Sequence, residues 1–157
     1  MTDERFLIAY ENYKNTVYSV ILNYIRNVDD ASELMQDTFE KLYVYEGDFD
    51  SDEHVKAWLI RVAINNSKNH LRSRKFFSHA PLPENLFSEE QYETDEIIRE
   101  VMKLPEKYRI PLHLFYYENY SLVEIAQILS LPEATIKTRL KRGREKLKTV
   151  LRKEDWL

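Results

Sequence analysis

The sequence contains no cysteine and only two glycines, Gly47 and Gly143, among its 157 residues. Without cysteine the chain can form neither a disulfide bond nor a thiolate metal site, and a cytoplasmic location fits this absence best. Loops that cradle phosphates need several glycines, because the backbone must approach the ligand closely. Two isolated glycines therefore exclude a nucleotide-binding loop of the P-loop or Rossmann type.

Long apolar runs are also missing from the sequence. No stretch reaches the roughly 18 apolar residues that are needed to span a bilayer, so we expect no membrane insertion. The first ten residues, MTDERFLIAY, begin with acidic residues and lack the basic segment that precedes the apolar part of a secretory signal. We therefore expect no signal peptide.

Candidate metal ligands are few. The four histidines, at positions 54, 70, 79 and 113, include no pair at i, i+4, which argues against a histidine metal site. Four acidic residues cluster near a predicted helix start, where the helix dipole and contact with a partner explain them better than a metal does. They are Asp29, Asp30, Glu33 and Asp37. The sequence predicts neither a metal nor another cofactor.

Charge is distributed unequally along the chain. Residues 1–94 contain 10 Lys and Arg against 17 Asp and Glu, a net charge of −7. Residues 95–157 contain 13 Lys and Arg against 10 Asp and Glu, a net charge of +3. Such an asymmetry suggests that the two halves have different partners.

Helical periodicity dominates the first half of the sequence. Apolar residues at spacings of three and four predict a helix from about Asp3 to Arg26. Asp30 and Glu33 have the spacing of a capping box and predict the start of a second helix, which runs to about Tyr45. Its inward residues should be Leu34, Met35, Thr38, Phe39, Leu42 and Tyr43.

A loop is expected at residues 46–54, where Ser51 or Asp52 can cap a third helix. That helix ends in a basic cluster formed by Lys68, Arg72, Arg74 and Lys75. Residues 76–94 contain two prolines, several acids and no clear period, which favours a linker. A long ordered loop within a single domain is the alternative for this segment.

Four more helices are predicted after the linker. Pro111 should lie in the first turn of one of them, where its missing N–H costs little. Ser121 and Glu124 have the spacing of a second capping box. The four helices are expected at Asp95–Lys103, Tyr108–Tyr117, Leu122–Leu129 and Glu133 to about Leu151.

These elements predict an all-α protein with two small helical domains. An N-terminal helical bundle occupies residues 1–75, and a C-terminal helix-turn-helix domain occupies residues 95–157. Residues 76–94 form the linker between them.

The last two predicted helices are joined by a turn of about four residues, as in a helix-turn-helix unit. The apolar residues that fit its core are Ile125, Ala126, Leu129, Leu131, Ile136 and Leu140. On the final helix the inner stripe should continue through Gly143 or Arg144 to Leu147 and Leu151. The outward residues should be Lys137, Thr138, Lys141, Arg142, Glu145 and Lys148. Such a helix fits the major groove of DNA, and a solvated basic face on a core helix is the alternative.

The segment ENYSLVEIAQILSLPEATIKTRLKRGREKLK resembles region 4, the promoter-binding C-terminal domain of bacterial sigma factors. In the first half, DDASELMQDTFEKLY resembles the helix of sigma region 2 that binds the polymerase clamp. FDSDEHVKAWLIRVAINNSKNHLRSRK resembles the stretch that melts the promoter. Two such domains and nothing else are the architecture of the extracytoplasmic-function (ECF) class of sigma factors.

The resemblance implies a subunit that directs core RNA polymerase to promoter DNA. It places Gln36, Asp37, Phe39 and Glu40 on a helix that docks on a coiled coil of the largest polymerase subunits. It also implies a cognate anti-sigma factor, which holds such proteins inactive. The acidity of this helix would repel DNA and would suit a basic protein partner.

The resemblance also implies which residues contact promoter DNA. The loop Gly47–Glu53 occupies the place where ECF factors capture a flipped base of the minus-10 element. The helix after this loop offers residues for minus-10 recognition and melting: Lys56, Arg61, Asn65, Lys68, Asn69 and Arg72. The positions that read the minus-35 element are Lys137, Thr138, Lys141 and Arg142. Thr135 and Arg144 are phosphate-contact or packing positions.

The chain departs from the family pattern at Ile64, Asn66 and Lys68, which bears on the minus-10 preference. Trp58 matches a family position, and its spacing favours a place in the core.

The sequence shows no nucleophile–base pair, so we expect no enzymatic activity. A stand-alone helix-turn-helix transcriptional regulator is the main alternative, and the lack of an obvious dimerisation helix counts against it. A metal-dependent nucleic-acid enzyme and a helical adaptor that binds only protein are further alternatives.

Overall fold

The structure is a computed structural model that describes residues 1–73 and 95–150, which contain seven helices and no strand. The chain divides into two units, Met1–Pro83 and Glu84–Leu157. The prediction of an all-α protein with two helical domains is therefore confirmed. The predicted linker at residues 76–94, together with Arg74, Lys75 and Leu151, lies outside the described residues.

The first unit is a bundle of three helices, α1 (Asp3–Ile25), α2 (Val28–Val44) and α3 (Asp52–Ser73), and each packs against the other two. Large aliphatic side chains from all three helices fill the centre and are at most 1% exposed. They include Val17, Ile21, Leu42, Leu59, Ile60 and Ile64. Each such side chain stabilises the fold by about 1.5–3 kcal/mol relative to its exposed state, so this shared centre holds the bundle together.

The start of α2 differs from the prediction. Asn27, and not Asp30, is the N-cap, because the Asn27 Oδ1 atom accepts a hydrogen bond from the Asp30 backbone N–H at 3.0 Å. Arg26 adopts the left-handed conformation with φ of 57° and ends α1. The reversal at Arg26 leaves Asn27 extended, and Asn caps helices as well as Asp does. Asp30 is the third residue of α2, and its carboxylate lies 3.2 Å from His70 Nε2.

The inner face of α2 agrees with the prediction at Leu34, Thr38, Phe39 and Leu42, which are all buried. Tyr43 does not, because 47% of the residue is exposed. Its hydroxyl donates a 2.9 Å hydrogen bond to Asp3 Oδ1, and this bond raises the pKa of Tyr43. Its ring meets that of Phe6 edge-on, with the ring centres 5.2 Å apart. Tyr43 therefore lies at the rim of the bundle.

Ser51 caps α3 as predicted. The Ser51 Oγ atom accepts from the His54 backbone N–H at 3.1 Å, and the Ser51 carbonyl accepts from Val55.

The second unit contains α4 (Asp95–Lys103), α5 (Glu106–Tyr116), α6 (Leu122–Leu129) and α7 (Glu133–Val150). The predicted bounds of α4 and α6 are confirmed. Buried side chains of α5, α6 and α7 share a core in which Leu112, Leu114, Ile125, Ile136 and Leu140 are at most 1% exposed.

Pro111 lies in the second turn of α5 and not in the first, which corrects the prediction. The helix begins two residues earlier than expected, because the Pro105 carbonyl accepts hydrogen bonds from Tyr108 and Arg109. Pro111 removes the N–H that would bond to the Lys107 carbonyl.

No helix within the described ranges is both long enough and apolar enough to cross a membrane.

Candidate nucleic-acid interface

The helix-turn-helix unit is built by local backbone chemistry at both ends of α6. The Ser121 hydroxyl accepts from the Glu124 N–H at 3.2 Å, and the Glu124 carboxylate accepts from the Ser121 N–H at 3.0 Å, which confirms the capping box. Ser130 ends α6 in the left-handed conformation. The Pro132 carbonyl then accepts from two N–H groups in the first turn of α7. These bonds fix the angle at which α7 leaves the turn.

One stripe of α7 is buried, as predicted, and consists of Ile136, Leu140, Gly143 and Leu147. Gly143 is where α7 approaches α5 most tightly. A Cβ atom at this position would lie 2.9 Å from Leu112 Cδ1 and 3.3 Å from Tyr108 Cβ, closer than such atoms normally come. The absence of a side chain at Gly143 therefore sets the distance between the two helices.

The opposite face of α7 is exposed and carries the residues that were predicted to face outward: Lys137, Thr138, Lys141, Arg142, Glu145 and Lys148. In the described part of the chain, no carboxylate forms an ion pair with Lys137, Lys141 or Arg142. The positive charges on this face are therefore available to a polyanion.

Two other residues that the resemblance singled out on α7 lie at the flanks of this face. Thr135 is half-buried. Arg144 is also half-buried, and its Nε donates to the Tyr116 hydroxyl at 2.5 Å. The Arg144 guanidinium lies 5.4 Å from the ring centre of Phe115 and 5.5 Å from that of Tyr116. Arg144 thus packs on the last turn of α5.

On α3, the residues predicted to meet minus-10 DNA share one face. Arg61, Asn65, Asn69 and Arg72 are exposed, and Lys68 is half-buried beside them. The opposite face buries Ile60, Ile64 and Ser67 among other residues, and the Ser67 hydroxyl donates to the Ala63 carbonyl at 2.8 Å. The geometry brings the five predicted residues together along about three turns of the helix.

A series of hydrogen bonds, buried at Asn66 and Thr38, joins α3 to α2. The Lys41 ammonium donates to Asn66 Oδ1 at 2.6 Å, and Asn66 Nδ2 donates to the Thr38 hydroxyl at 3.2 Å. That hydroxyl donates in turn to the Leu34 carbonyl at 2.8 Å. Asn66 is one of the positions where the sequence departs from the family pattern. These hydrogen bonds give its buried amide the partners that it needs.

The loop between α2 and α3 is folded over a cluster of aromatic rings. The ring centre of Trp58 lies 4.9 Å from that of Tyr45 and 5.8 Å from that of Phe49. Trp58 is half-buried under this loop and not in the core of the bundle, which corrects the prediction. The Tyr45 ring lies directly over Gly47, and a side chain at this position would require the ring to move.

Sequence reasoning did not find Tyr45 and Phe49 as members of this cluster. The signal was available, because both aromatic residues lie within two positions of Gly47 in an otherwise acidic loop. The loop is also held by His54, whose Nδ1 accepts from the Asp50 N–H at 3.0 Å.

A second surface is a groove of about 700 Å³ between α1 and α2. Gln36 and Glu40 line it and are joined by a 3.3 Å hydrogen bond. Phe39 also lines the groove but is only 3% exposed, with its ring centre 5.0 Å from that of Tyr10. Asp37 is exposed on the same helix. Phe39 therefore supports this surface from below, whereas the three polar residues are accessible.

Sequence reasoning missed the apolar residues around this groove. Leu7 and Val44 line the groove and are 59% and 72% exposed, and Ile8, next to Leu7 on α1, is 52% exposed. Such exposure is unusual when large apolar side chains lie together. The available signal was that Leu7 and Ile8 lie outside the periodic stripe of the first predicted helix.

Within the described residues, no three His, Asp or Glu side chains come together in an arrangement that could hold a metal ion.

Comparison with known families gives two matches that together cover most of the chain. Residues 9–77 match Sigma-70 region 2, and residues 94–147 match Sigma-70, region 4. The chain is thus a sigma factor of the sigma-70 type, a subunit that binds core RNA polymerase and directs promoter recognition and the initiation of transcription.

Individual relatives show to which class of sigma factor the chain belongs. The chain is 32% identical to the ECF RNA polymerase sigma factor SigW of Bacillus subtilis, over 95% of this chain and 90% of the relative. It is 28% identical to the RNA polymerase sigma-H factor of Pseudomonas aeruginosa, over 88% of this chain and 82% of the relative. The protein belongs to the ECF class of RNA polymerase sigma factors.

The fold agrees with this assignment. The sigma factor RpoE from Bartonella quintana, solved in complex with the anti-sigma factor NepR, superposes with a TM-score of 0.76 at 21% identity. The match covers 96% of this chain and 99% of that one.

Proposed function

We propose that the two helical units divide the work of promoter recognition. Residues 1–75 bind core polymerase and open the minus-10 element, and residues 95–157 read the minus-35 element as double-stranded DNA. The unequal charge supports this division, because −7 lies on residues 1–94 and +3 on residues 95–157. The protein acts in the cytoplasm as a recognition subunit and not as a catalyst.

The observation that carries the minus-35 assignment is the exposed face of α7. Lys137, Thr138, Lys141 and Arg142 project from a helix whose opposite stripe is buried, and the three cations lack ion pairs within the described residues. Arg and Lys recognise guanine edges and phosphates in the major groove. Arg144 is held by Tyr116 and Phe115, so its role is to fix α7 against α5.

The minus-10 element meets the exposed face of α3 and the loop Gly47–Glu53. Flipping a base costs a few kcal/mol. Stacking on aromatic rings contributes about 1–3 kcal/mol per base, which can offset this cost. Phe49 and the half-buried Trp58 offer ring surface beside the loop. Asn65 and Asn69 offer amides that can bond the edges of unpaired bases, while Arg61 and Arg72 face the phosphates.

Core polymerase binds the groove between α1 and α2. Gln36, Asp37 and Glu40 contact the partner, and Phe39 shapes the floor of the groove without direct contact. A partner helix that brings apolar side chains into the groove and basic side chains to its rim would fit this surface. The coiled coil of the largest polymerase subunits, implied by the family resemblance, is that partner.

An anti-sigma factor also regulates this chain. The sigma factor RpoE from Bartonella quintana was solved with the anti-sigma factor NepR, and CnrH was solved with the cytosolic domain of CnrY. The exposed apolar residues Leu7, Ile8 and Val44 are available for such an inhibitor as well as for polymerase.

The decisive experiment uses holoenzyme reconstituted from core polymerase and either the wild-type chain or Arg142→Ala. Loss of this guanidinium should weaken promoter binding by about 1–3 kcal/mol, measured by equilibrium binding to labelled promoter duplex. Affinity for core polymerase should stay unchanged.

A template with a scrambled minus-35 element is the control for this experiment, since Arg142→Ala should lose less affinity for it than for the intact promoter. If Arg142→Ala instead loses affinity for core polymerase, the DNA-facing surface has been misassigned. If the isolated chain gives the same footprint as the holoenzyme, the protein acts as a stand-alone regulator.

A further inference from the structure

A cleft of about 380 Å³ lies between the first turn of α5 and the first half of α7. Its main lining residues are Lys107 and Tyr108 from α5, and Thr135, Thr138, Arg139 and Arg142 from α7. Lys107, Tyr108 and Arg139 belong to no surface assigned so far. Thr138 and Arg142 belong both to the cleft and to the face proposed to read bases, so the two surfaces are continuous.

The cleft concentrates positive charge from two helices. The Lys107 Nζ atom lies 5.1 Å from the centre of the Tyr108 ring, and the Nζ atom of Lys146 lies 5.5 Å from the same ring centre. Arg139 and Arg142 line the cleft itself. Within the residues that the structure describes, none of these four cations forms an ion pair with a carboxylate. Cations gathered without an anion repel one another, and a bound anion would relieve this repulsion.

The phenol of Tyr108 responds to this field. Burial acts to raise its pKa, but a hydrogen bond with Lys107 and the charges of Lys107, Lys146 and Arg142 outweigh burial and lower the pKa. The cleft therefore favours negative charge at the position of the Tyr108 oxygen.

The donors that line the cleft suit a phosphate group. Arg139 and Arg142 carry planar forks of N–H donors that match phosphate oxygens, and Lys107 adds a mobile ammonium. The hydroxyls of Thr135 and Thr138 add neutral donors, as commonly found at DNA backbones. No acidic residue lines the cleft.

We propose that this cleft binds a backbone phosphate of the promoter at the edge of the minus-35 element, with Lys107 and Arg139 as its principal cations. The proposal rests on the assignment of α7 to the minus-35 element. A helix in the major groove has a sugar–phosphate backbone on either side, and the continuity of the cleft with Thr138 and Arg142 places it where one backbone would pass. Lys107 and Arg139 thus fix the register of α7 without reading sequence.

The test compares holoenzymes that carry wild-type chain, Lys107→Ala, Arg139→Gln or Lys103→Ala. Lys103 is the matched control, because it belongs to the same unit and its exposed ammonium pairs with Glu100 at 3.0 Å, outside the cleft. Promoter-duplex affinity is measured over a salt series. Lys107→Ala and Arg139→Gln should each reduce the magnitude of the slope of log K against log salt by about 1. They should weaken consensus and altered minus-35 sequences by the same factor. Lys103→Ala should keep the wild-type slope.

A second series uses promoter duplexes in which single phosphates near the minus-35 element are replaced by neutral methylphosphonates. At the phosphate that occupies the cleft, the replacement should weaken promoter binding by the wild-type holoenzyme roughly to the level of Lys107→Ala. The same replacement should not weaken promoter binding by the Lys107→Ala holoenzyme any further.

Unchanged salt slopes for Lys107→Ala and Arg139→Gln, or the lack of such a position, would overturn the proposal. If both variants lost affinity for core polymerase while the salt slope of promoter binding stayed unchanged, the cleft would be assigned to an acidic protein partner instead. A normal Arg142→Ala effect in the same assays would confine that failure to the roles of Lys107 and Arg139. Loss of the Arg142 effect as well would remove the minus-35 assignment itself.

Discussion

The two helices proposed to meet DNA differ both in their exposed faces and in what supports them. The exposed face of α7 is dominated by Lys and Arg, whereas that of α3 combines Arg61 and Arg72 with the amides of Asn65 and Asn69. Beneath α7 lies an apolar stripe, while a polar chain through Asn66 runs beneath α3. The difference suits two tasks, because a cationic face attracts duplex backbone and amides can bond the edges of unpaired bases.

The largest effect should come from breaking the support of α7. Gly143→Leu would force a side chain into the 2.9 Å gap to Leu112, and overpacking of this kind costs about 3 kcal/mol. Thermal unfolding followed by circular dichroism should show the second unit melting earlier. Transcription that depends on the minus-35 element should fall while affinity for core polymerase persists. Ser67→Ala, a small change on the buried face of α3, is the control. If Gly143→Leu reduced affinity for core polymerase as much as it reduced transcription, separate support of the two helices would be contradicted.

A somewhat smaller effect should appear when pH changes the stability of α5, the helix that packs against α7. Burial lowers the pKa of His113 in α5 from its ordinary value to about 4, and within the described residues its Nε2 has no hydrogen-bond partner. The folded state keeps His113 neutral while the unfolded state takes up a proton near pH 6.5. Stability should therefore be fully present above about pH 6.5 and should fall as the pH drops towards 4, by about 2.5 kcal/mol at pH 4.5.

The variant His113→Phe sharpens the pH prediction. It removes the titrating group from α5, so the free energy of unfolding of the second unit should change less between pH 7 and pH 4.5 than in the wild type. Urea denaturation at the two pH values measures this difference. An identical pH dependence in variant and wild type would show that other groups control it; Glu118, 3.8 Å from the His113 Nε2, is the first to examine.

The smallest effect should come from the exposed face of α3. Asn65→Ala removes one amide, which contributes about 1 kcal/mol if it bonds a base in the opened minus-10 element. Permanganate reactivity of thymines in that element should fall about fivefold, and the salt dependence of duplex binding should stay as in the wild type. A changed salt slope would show instead that α3 and α7 meet DNA in the same way. Lys103→Ala, a change outside the exposed faces of both helices, serves as the control for promoter opening.

Local patterns predicted much of this fold. The 3.6-residue period located α1, α3 and α7, and the caps at Ser51 and Ser121 were found from residue type and spacing alone. The outward residues of α7 were also predictable, because its buried and exposed faces separate cleanly in sequence.

The errors arose where distant residues decide the outcome. Tyr43 is exposed because it bonds Asp3, which lies 40 positions away, and Trp58 leaves the core because Tyr45 and Phe49 cover it. The sequence offered both Asn27 and Asp30 as caps for α2, and the left-handed turn at Arg26 decides between them. The cleft at Lys107 joins residues about 30 positions apart on two helices, which no periodicity within one helix can indicate.

The clean separation of the two sides of α7 has a consequence for how this protein can change. Lys137, Thr138, Lys141 and Arg142 take no part in packing or ion pairing within the described residues, so replacing them should alter folding stability by no more than about 0.5 kcal/mol. Sequence preference can therefore drift, or be redesigned, without compensating changes in the core. Two copies of such a gene could acquire different sets of promoters while keeping one scaffold.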